Sequence, residues 1–209
     1  MSSGDGARAR TGEFEMRVWT RVRHYVAALG KAKRNRSDLG GWLVRRPQVL
    51  VGTGVYETML LLSNRLDPRL KELAELKTAG VVNCEFCLDI GSALAHSAGV
   101  SEQQLMDLPR YRTSAAYSEV EKAVLGFAEA MTVTPAADVD AAREEVLRYL
   151  SKTELAELAA VVAWENQRAR LNQGLGVRPT GMAEGMVCAL PERSPAADIA
   201  AFGGPDASR

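Results

Sequence analysis

Apolar residues recur at helical spacing along most of the chain. Between Glu13 and Leu29 they fall three and four positions apart, and Gly30 is predicted to end that helix. Asp67-Pro68 is typical of a helix start, and Gly80 predicts the end of the helix that begins there. No segment alternates apolar and polar residues convincingly enough to form a strand. The pattern therefore predicts an all-α protein.

Three further helices are predicted from capping boxes, in which a serine is followed three residues later by Gln or Glu. The pairs are Ser101 with Gln104, Ser118 with Glu121, and Ser151 with Glu154. The last box opens a long helix that is predicted to end near Gly174-Leu175-Gly176. Between Trp42 and Leu62 the apolar pattern is broken by Pro47, which predicts a short helix, a turn and a second helix.

Composition suits one globular domain with appendages. The 209 residues are 46% hydrophobic and 25% charged, with no net charge. The charge is uneven, because residues 1–50 carry eleven Lys/Arg against four Asp/Glu. We predict a basic extension over residues 1–41, partly disordered and then helical, a helical domain over 42–178, and an extended or disordered tail over 179–209.

The absence of certain sequence features indicates in which cellular compartment the protein works and which binding partners are unfavoured. The N-terminus is polar, without the apolar run of a signal peptide, and the most apolar stretch, Val49 to Leu62, is too short and polar to span a bilayer. With three cysteines and no such signal, we expect a cytoplasmic protein with no membrane partner. Nucleic acid is an unfavoured partner, because aromatic residues are not interleaved with the basic ones.

The strongest chemical signal is Cys84-Glu85-Phe86-Cys87, a CxxC at the start of a predicted helix. Backbone N–H groups at a helix start stabilise a thiolate, and a second thiol three residues away can close a disulfide. A zinc site would need Cys188 and one of the histidines His24 or His96, none at usual spacing, so we expect no metal. Two buried structural cysteines are the other alternative, and Cys188 itself is predicted to be of that kind.

Upstream, Glu72 and Glu75 lie on the helix that follows Asp67-Pro68. A carboxylate close to a thiol can accept its proton if the fold brings the two helices together. Taken alone, these glutamates would be assigned to an exposed helix face.

Three segments carry a resemblance to a known family: Leu70–Leu76, Asn83–Asp89, and Ala98–Ser101. Together they resemble the carboxymuconolactone decarboxylase / AhpD-like alkylhydroperoxidase family, with a weaker match at Asn172–Val177. The resemblance implies an AhpD-like helical bundle that assembles as a trimer or hexamer. It also implies that Cys87 attacks the peroxide, that Cys84 resolves the product, and that Glu72, twelve residues before Cys84, belongs to a proton relay.

One position departs from the family pattern. The family's peroxidase motif has a histidine four residues after the second cysteine, where this chain has Gly91. His96 lies about 180° around the helix from Cys87 and Asp89 about 160°, so neither can replace it from within that helix. Glu165 is a candidate base from the long helix, although a glutamate at such a position is more often an ordinary surface carboxylate.

We therefore expect a thiol-dependent hydroperoxidase or disulfide oxidoreductase that uses Cys84 and Cys87 and no cofactor. Its partners would be a hydroperoxide or disulfide substrate, an external dithiol or redox protein as reductant, and further copies of the chain. The first alternative is a redox-responsive oligomeric scaffold that has lost peroxidase chemistry. The second is a cofactor-free decarboxylase of a small cyclic carboxylate, whose activity would not depend on the cysteines.

Overall fold

The computed structural model describes residues 19–20 and 22–192, and over this part of the chain the ordered elements are helices. The all-α prediction is confirmed. In chain order the helices are residues 22–30 (α1), Asp38–Leu43 (α2), Pro47–Leu62 (α3), Pro68–Val82 (α4), Glu85–Ser97 (α5), Glu102–Asp107 (α6), Glu119–Thr132 (α7), Val139–Val146 (α8) and Lys152–Gly174 (α9), with a 3-10 turn at Leu108–Arg110. The first part of the helix predicted from Glu13 lies outside the described residues.

Local sequence signals set most helix starts. All three predicted capping boxes are formed, with each serine hydroxyl accepting from a backbone N–H and each Gln or Glu side chain accepting in return. The prediction for Gly80 is wrong, because α4 continues to Val82 and ends where Asn83 takes a left-handed conformation at φ 61°. Gly80 lies inside the helix, and its carbonyl accepts from the backbone N–H of Glu192 at 3.0 Å.

Helix α4 is the centre of the bundle, packed against α5, α7 and α9. Its buried face includes Leu73 and Leu76, and also two lysines that are fully buried. Lys71 forms an ion pair with Glu157, and Lys77 Nζ lies 2.6 Å from Glu192 Oε2. Because a buried ammonium without a partner is very unfavourable, these pairs hold α4 firmly and fix the direction of its remaining side chains.

The segment after α9 packs onto α5 as far as Glu192, although it contains no helix; the rest of the predicted tail lies outside the described residues. The Asp89 carboxylate accepts from four successive backbone N–H groups, Thr180 to Ala183, at 2.8–3.1 Å. Burial opposes the charge, but these N–H groups hold the pKa of Asp89 below its ordinary value. Asp89 therefore anchors the segment.

The described helices include none that combines the length and the apolar character needed to cross a membrane. Helix α3 is unusual in another respect, since none of its residues is buried and several large apolar side chains on it are exposed.

Candidate active site

A tight turn between α4 and α5 places the two cysteines. Asn83 reverses the chain, Cys84 N–H donates to Ala79 O at 3.0 Å, and Cys84 becomes the N-cap of α5. The backbone N–H of Cys87 donates to Cys84 Sγ at 3.3 Å. Both cysteines are buried, their Cα atoms are 5.3 Å apart, and they form a disulfide. The predicted CxxC at the start of a core helix is confirmed.

A cavity of about 440 Å³ adjoins this pair, between α1, α3, α4, α5 and α9. Cys87 lines it, whereas Cys84 is not among the lining residues. Glu72 also lines it, so the structure brings together two of the three predicted site residues at one cavity, and the third, Cys84, is bonded to Cys87. The other polar lining side chains include those of His24, Tyr25, Glu57, Asp67, Arg69, Glu75, Glu165 and Arg168.

One wall of the cavity is a cluster of three carboxylates around the guanidinium of Arg168. The guanidinium donates to Glu57 at 2.8 Å, to Glu75 at 3.0 Å and, through Nε, to Glu165 at 2.6 Å. Proximity of these anions holds the pKa of Arg168 well above its ordinary value, against the effect of burial. One positive charge thus faces three acids contributed by α3, α4 and α9.

Glu165 is not the surface carboxylate that its sequence context favoured. Only 1% of the residue is exposed, and its Oε1 has no hydrogen-bond partner within the described part of the chain. Burial raises the pKa of Glu165 to about 7, and the charges of Glu75 and Glu57 act in the same direction while Arg168 opposes them. A glutamate of this kind can hold or release a proton near neutral pH.

Asn172 is a site residue that sequence reasoning did not single out. It is 1% exposed, and its side-chain Nδ2 lies 3.6 Å from Cys87 Sγ, within donating distance of a sulfur. It belongs to the Asn172–Val177 segment of the weaker family match, which was the available signal. An amide donor at this position favours the charged form of the neighbouring sulfur.

The basic N-terminal segment also reaches the site, through His24 and Tyr25 of α1. Burial, together with the charge of Glu57, raises the pKa of Tyr25 to about 12, so its hydroxyl stays protonated at neutral pH. The apolar stripe that predicted this helix contains Tyr25, but it gave no indication that the helix closes a cavity around Cys87.

Gly91, where the family motif has histidine, is a point of close contact between α5 and α4. A Cβ at this position would lie 2.9 Å from Leu76 Cδ2, and Leu76 is itself buried. A larger side chain at residue 91 therefore requires Leu76 to move. The glycine is part of this packing and also lines the cavity.

The remaining candidates lie away from the cavity. His96 Nε2 is 3.0 Å from Val187 O and so bonds the C-terminal segment. Cys188 is half-buried, with Ser92 Oγ 3.4 Å from its sulfur, and burial raises the pKa of its thiol. Within residues 19–20 and 22–192 there is no group of three or more His, Cys, Asp or Glu side chains placed to hold a metal ion.

Fold and site together define a class: an all-helical protein with a cysteine pair at a helix start and an acid-lined cavity beside the second cysteine. The model of the carboxymuconolactone decarboxylase family matches residues 53–130, which include α4, α5 and both cysteines. The resemblance predicted from the sequence is therefore confirmed, and this part of the chain carries the sequence pattern of that family.

One sequence relative and two solved structures show what else the chain is similar to. It is 28% identical over 177 residues to the uncharacterized protein YnjA of Escherichia coli (strain K12), covering 84% of this chain and 90% of that protein. The fold is similar to that of the debrominase Bmp8 without ligand, at TM-score 0.65 and 21% identity over 77% of this chain and 88% of that one. It is also similar to an uncharacterized peroxidase-related protein from Silicibacter sp. TM1040, at TM-score 0.61 and 19% identity over 68% and 75%. At these identities the structural likeness establishes the fold and leaves the reaction open.

Proposed function

We propose that this protein is a thiol-dependent peroxidase that reduces organic hydroperoxides with Cys87 and Cys84. The observation that carries the proposal is the asymmetry of the pair, because Cys87 lines the cavity with Glu72 while Cys84 is not among the lining residues. A substrate in the cavity would meet Cys87 first. The family resemblance assigns the same order, with Cys87 attacking and Cys84 resolving.

The proposed reaction uses groups that this site supplies. Cys87 loses its thiol proton to Glu72, and the thiolate attacks the terminal oxygen of the hydroperoxide. The O–O bond breaks, which leaves a sulfenic acid on Cys87 and an alkoxide that takes up a proton and departs as the alcohol. The Cys84 thiol then attacks Cys87 Sγ, forming the disulfide and releasing water. An external dithiol restores both thiols. The short reach between the two cysteines, with Cα atoms 5.3 Å apart, suits the resolving step.

The cavity walls favour an uncharged substrate with an apolar group. Leu60, Leu61, Ile90 and Leu94 supply apolar surface. Both arginines that line it are already ion-paired, Arg69 with Glu121 and Arg168 with its three carboxylates. Among the residues that the structure describes, an anionic ring carboxylate would therefore meet acids rather than an unpaired arginine, and this argues against the decarboxylase alternative.

The test is to reduce the protein, remove the reductant and add tert-butyl hydroperoxide, counting thiols and mapping disulfides by mass spectrometry. We expect one peroxide consumed per chain with formation of the Cys84–Cys87 disulfide. Cys87→Ser should consume none, and Cys84→Ser should stop at a sulfenic acid on Cys87 that dimedone traps. Cys188→Ser is the matched control and should behave as the unmodified protein. Unaltered turnover in Cys87→Ser would exclude the mechanism.

The non-enzymatic alternative makes a different prediction with the same preparations. A redox-responsive scaffold would form the disulfide slowly and change its assembly when it does. Gel filtration with light scattering of the reduced and oxidised protein separates the two, because a peroxidase needs no change in assembly to turn over.

We also propose that the chain assembles with copies of itself through α3. Val51, Val55 and Met59 on this helix are 54–63% exposed, which is unusual for so apolar a surface on one chain. The family resemblance suggests a trimer or hexamer. Val55→Glu should produce monomers at micromolar concentration, whereas Thr53→Glu, a change of equal charge on the same helix, serves as the control for the added charge.

A further inference from the structure

The cluster around Arg168 contains more acid than its charge can neutralise. Glu57, Glu75 and Glu165 all contact the same guanidinium, and Glu72 lines the cavity nearby. Three ionised carboxylates on one cation in a largely buried place would leave two uncompensated negative charges. Such a group is stabilised when one acid keeps its proton.

Glu165 is the acid best placed to keep it. It is the most buried of the three, with side-chain exposure of 1% against 19% for Glu75 and 28% for Glu57. One of its oxygens, Oε2, is bound by Arg168, while Oε1 has no partner among the residues that the structure describes. Glu165 lines the cavity, and a buried polar atom without a partner, such as its Oε1, calls for an explanation.

We propose that Glu165 is the proton donor of this site: its side chain lines the cavity that Cys87 also lines, and its carboxyl group protonates the oxygen that leaves when Cys87 Sγ attacks a hydroperoxide. The proposal rests on the proposed function and adds a proton donor for the leaving oxygen to the proton acceptor, Glu72, that the proposed function already names. It goes beyond the family resemblance, which assigns no role to a glutamate on α9.

A proton donor must carry its proton at neutral pH, and the groups around Glu165 favour its protonated form. Among the described residues, the charged and titratable groups that line the cavity with it are Glu57 from α3, Asp67, Arg69, Glu72 and Glu75 at the start of α4 and along it, Arg168 from α9, His24 and Tyr25 from α1 and Cys87 from α5. Burial and the neighbouring carboxylates outweigh the single arginine, which is why the pKa of Glu165 is raised to about 7. A sizeable protonated fraction is then present at neutral pH.

Two carboxyl groups, those of Glu72 and Glu165, account for the protons that move during the proposed cycle. Cys87 gives its proton to Glu72 and attacks the terminal peroxide oxygen, the O–O bond breaks, and the alkoxide takes the proton of Glu165 to leave as an alcohol. Cys84 then displaces hydroxide from the sulfenic acid, and its own proton makes that hydroxide water. The proton on Glu72 returns to Glu165 across the cavity. One hydroperoxide and two thiols give one disulfide, one alcohol and one water.

The decisive experiment varies the leaving group on the pre-reduced protein in a stopped-flow instrument. tert-Butyl hydroperoxide must expel a strongly basic alkoxide that needs a proton, whereas peracetic acid expels acetate, which does not. Glu165→Gln should slow disulfide formation with tert-butyl hydroperoxide by about 100-fold and leave the peracetic acid reaction little changed. A merely structural role for Glu165 would slow both reactions alike.

The pH profile gives a second readout that does not depend on the folding of Glu165→Gln. With tert-butyl hydroperoxide the rate should fall as pH rises through the pKa of Glu165, since the donor loses its proton. Glu75→Gln removes a neighbouring negative charge, so it should lower that pKa and move the alkaline limb to lower pH. Glu144→Gln, the same change on the exposed surface of α8, should leave the limb in place.

The outcomes separate this inference from the proposed function. If the unmodified protein forms no disulfide with either peroxide, the proposed function fails and the role of Glu165 fails with it. If the unmodified protein reacts but Glu165→Gln loses both reactions equally, or if Glu75→Gln leaves the alkaline limb unmoved, the peroxidase stands and Glu165 is not its proton donor.

Discussion

Replacing Asn172 by leucine is expected to raise the pKa of the Cys87 thiol in the reduced protein. The Asn172 amide is the donor 3.6 Å from Cys87 Sγ, and it stabilises the thiolate more than the thiol. Leucine has nearly the same volume and no donor. Because Asn172 Oδ1 is buried without a partner in the described structure, the substitution also removes an unsatisfied acceptor, and the fold should be retained.

The size of the shift follows from the contact. A hydrogen bond to a charged group contributes about 1.5–3 kcal/mol, and one pKa unit corresponds to about 1.4 kcal/mol. A sulfur acceptor at 3.6 Å belongs at the lower end of that range. We therefore expect the pKa of the Cys87 thiol to rise by about one unit, which lowers the thiolate fraction near neutral pH by about tenfold.

The assay is the rate of iodoacetamide alkylation against pH, in a background where Cys84 and Cys188 are replaced by serine. Asn166→Leu is the matched control, because it makes the same change on α9 at an amide that bonds Thr132 instead of the sulfur. Circular dichroism checks that both variants are folded. Equal thiol pKa values for Asn172→Leu and the unmodified residue would refute a role for this hydrogen bond.

Three further predictions concern the frame around the site. Gly91→His should not create a peroxidase histidine and should lower stability by about 1–3 kcal/mol through its clash with Leu76; thermal unfolding tests this, and faster peroxide reduction without a stability loss would contradict it. Asp89→Ala should lower the unfolding free energy by about 3 kcal/mol at pH 7 in urea titrations, because it leaves buried N–H groups unpaired. Since the folded-state pKa of Asp89 lies below 3.8, that difference should persist above pH 3.8 and vanish as pH falls further; a constant difference would contradict the assignment. Glu157→Gln should cost about 3–5 kcal/mol by leaving Lys71 buried without its counter-charge, and a loss below 1 kcal/mol would show that the pair is not needed.

Much of the fold could be predicted from the sequence, because helix periodicity and caps are local. Ser101, Ser118 and Ser151 each mark the helix start found in the structure, since a capping box involves residues only three apart. Gly80 shows the limit of such reasoning. A glycine late in a helix often marks its end, but here the helix continues to Val82 and ends where Asn83 takes the left-handed conformation.

The sequence by itself determined the cysteine pair, its place at a helix start and the expected family, because all three depend on residue type and short spacing. Only the tertiary structure decided what surrounds Cys87. Asn172 is 85 residues from Cys87 along the chain. Glu75 and Glu165 lie on α4 and α9, two helices that are far apart in the sequence. Burial and the charges of Glu75 and Glu57, which outweigh the opposing charge of Arg168, turn Glu165 from an ordinary glutamate into an acid that titrates near neutrality, and this environment does not exist until α3, α4 and α9 meet.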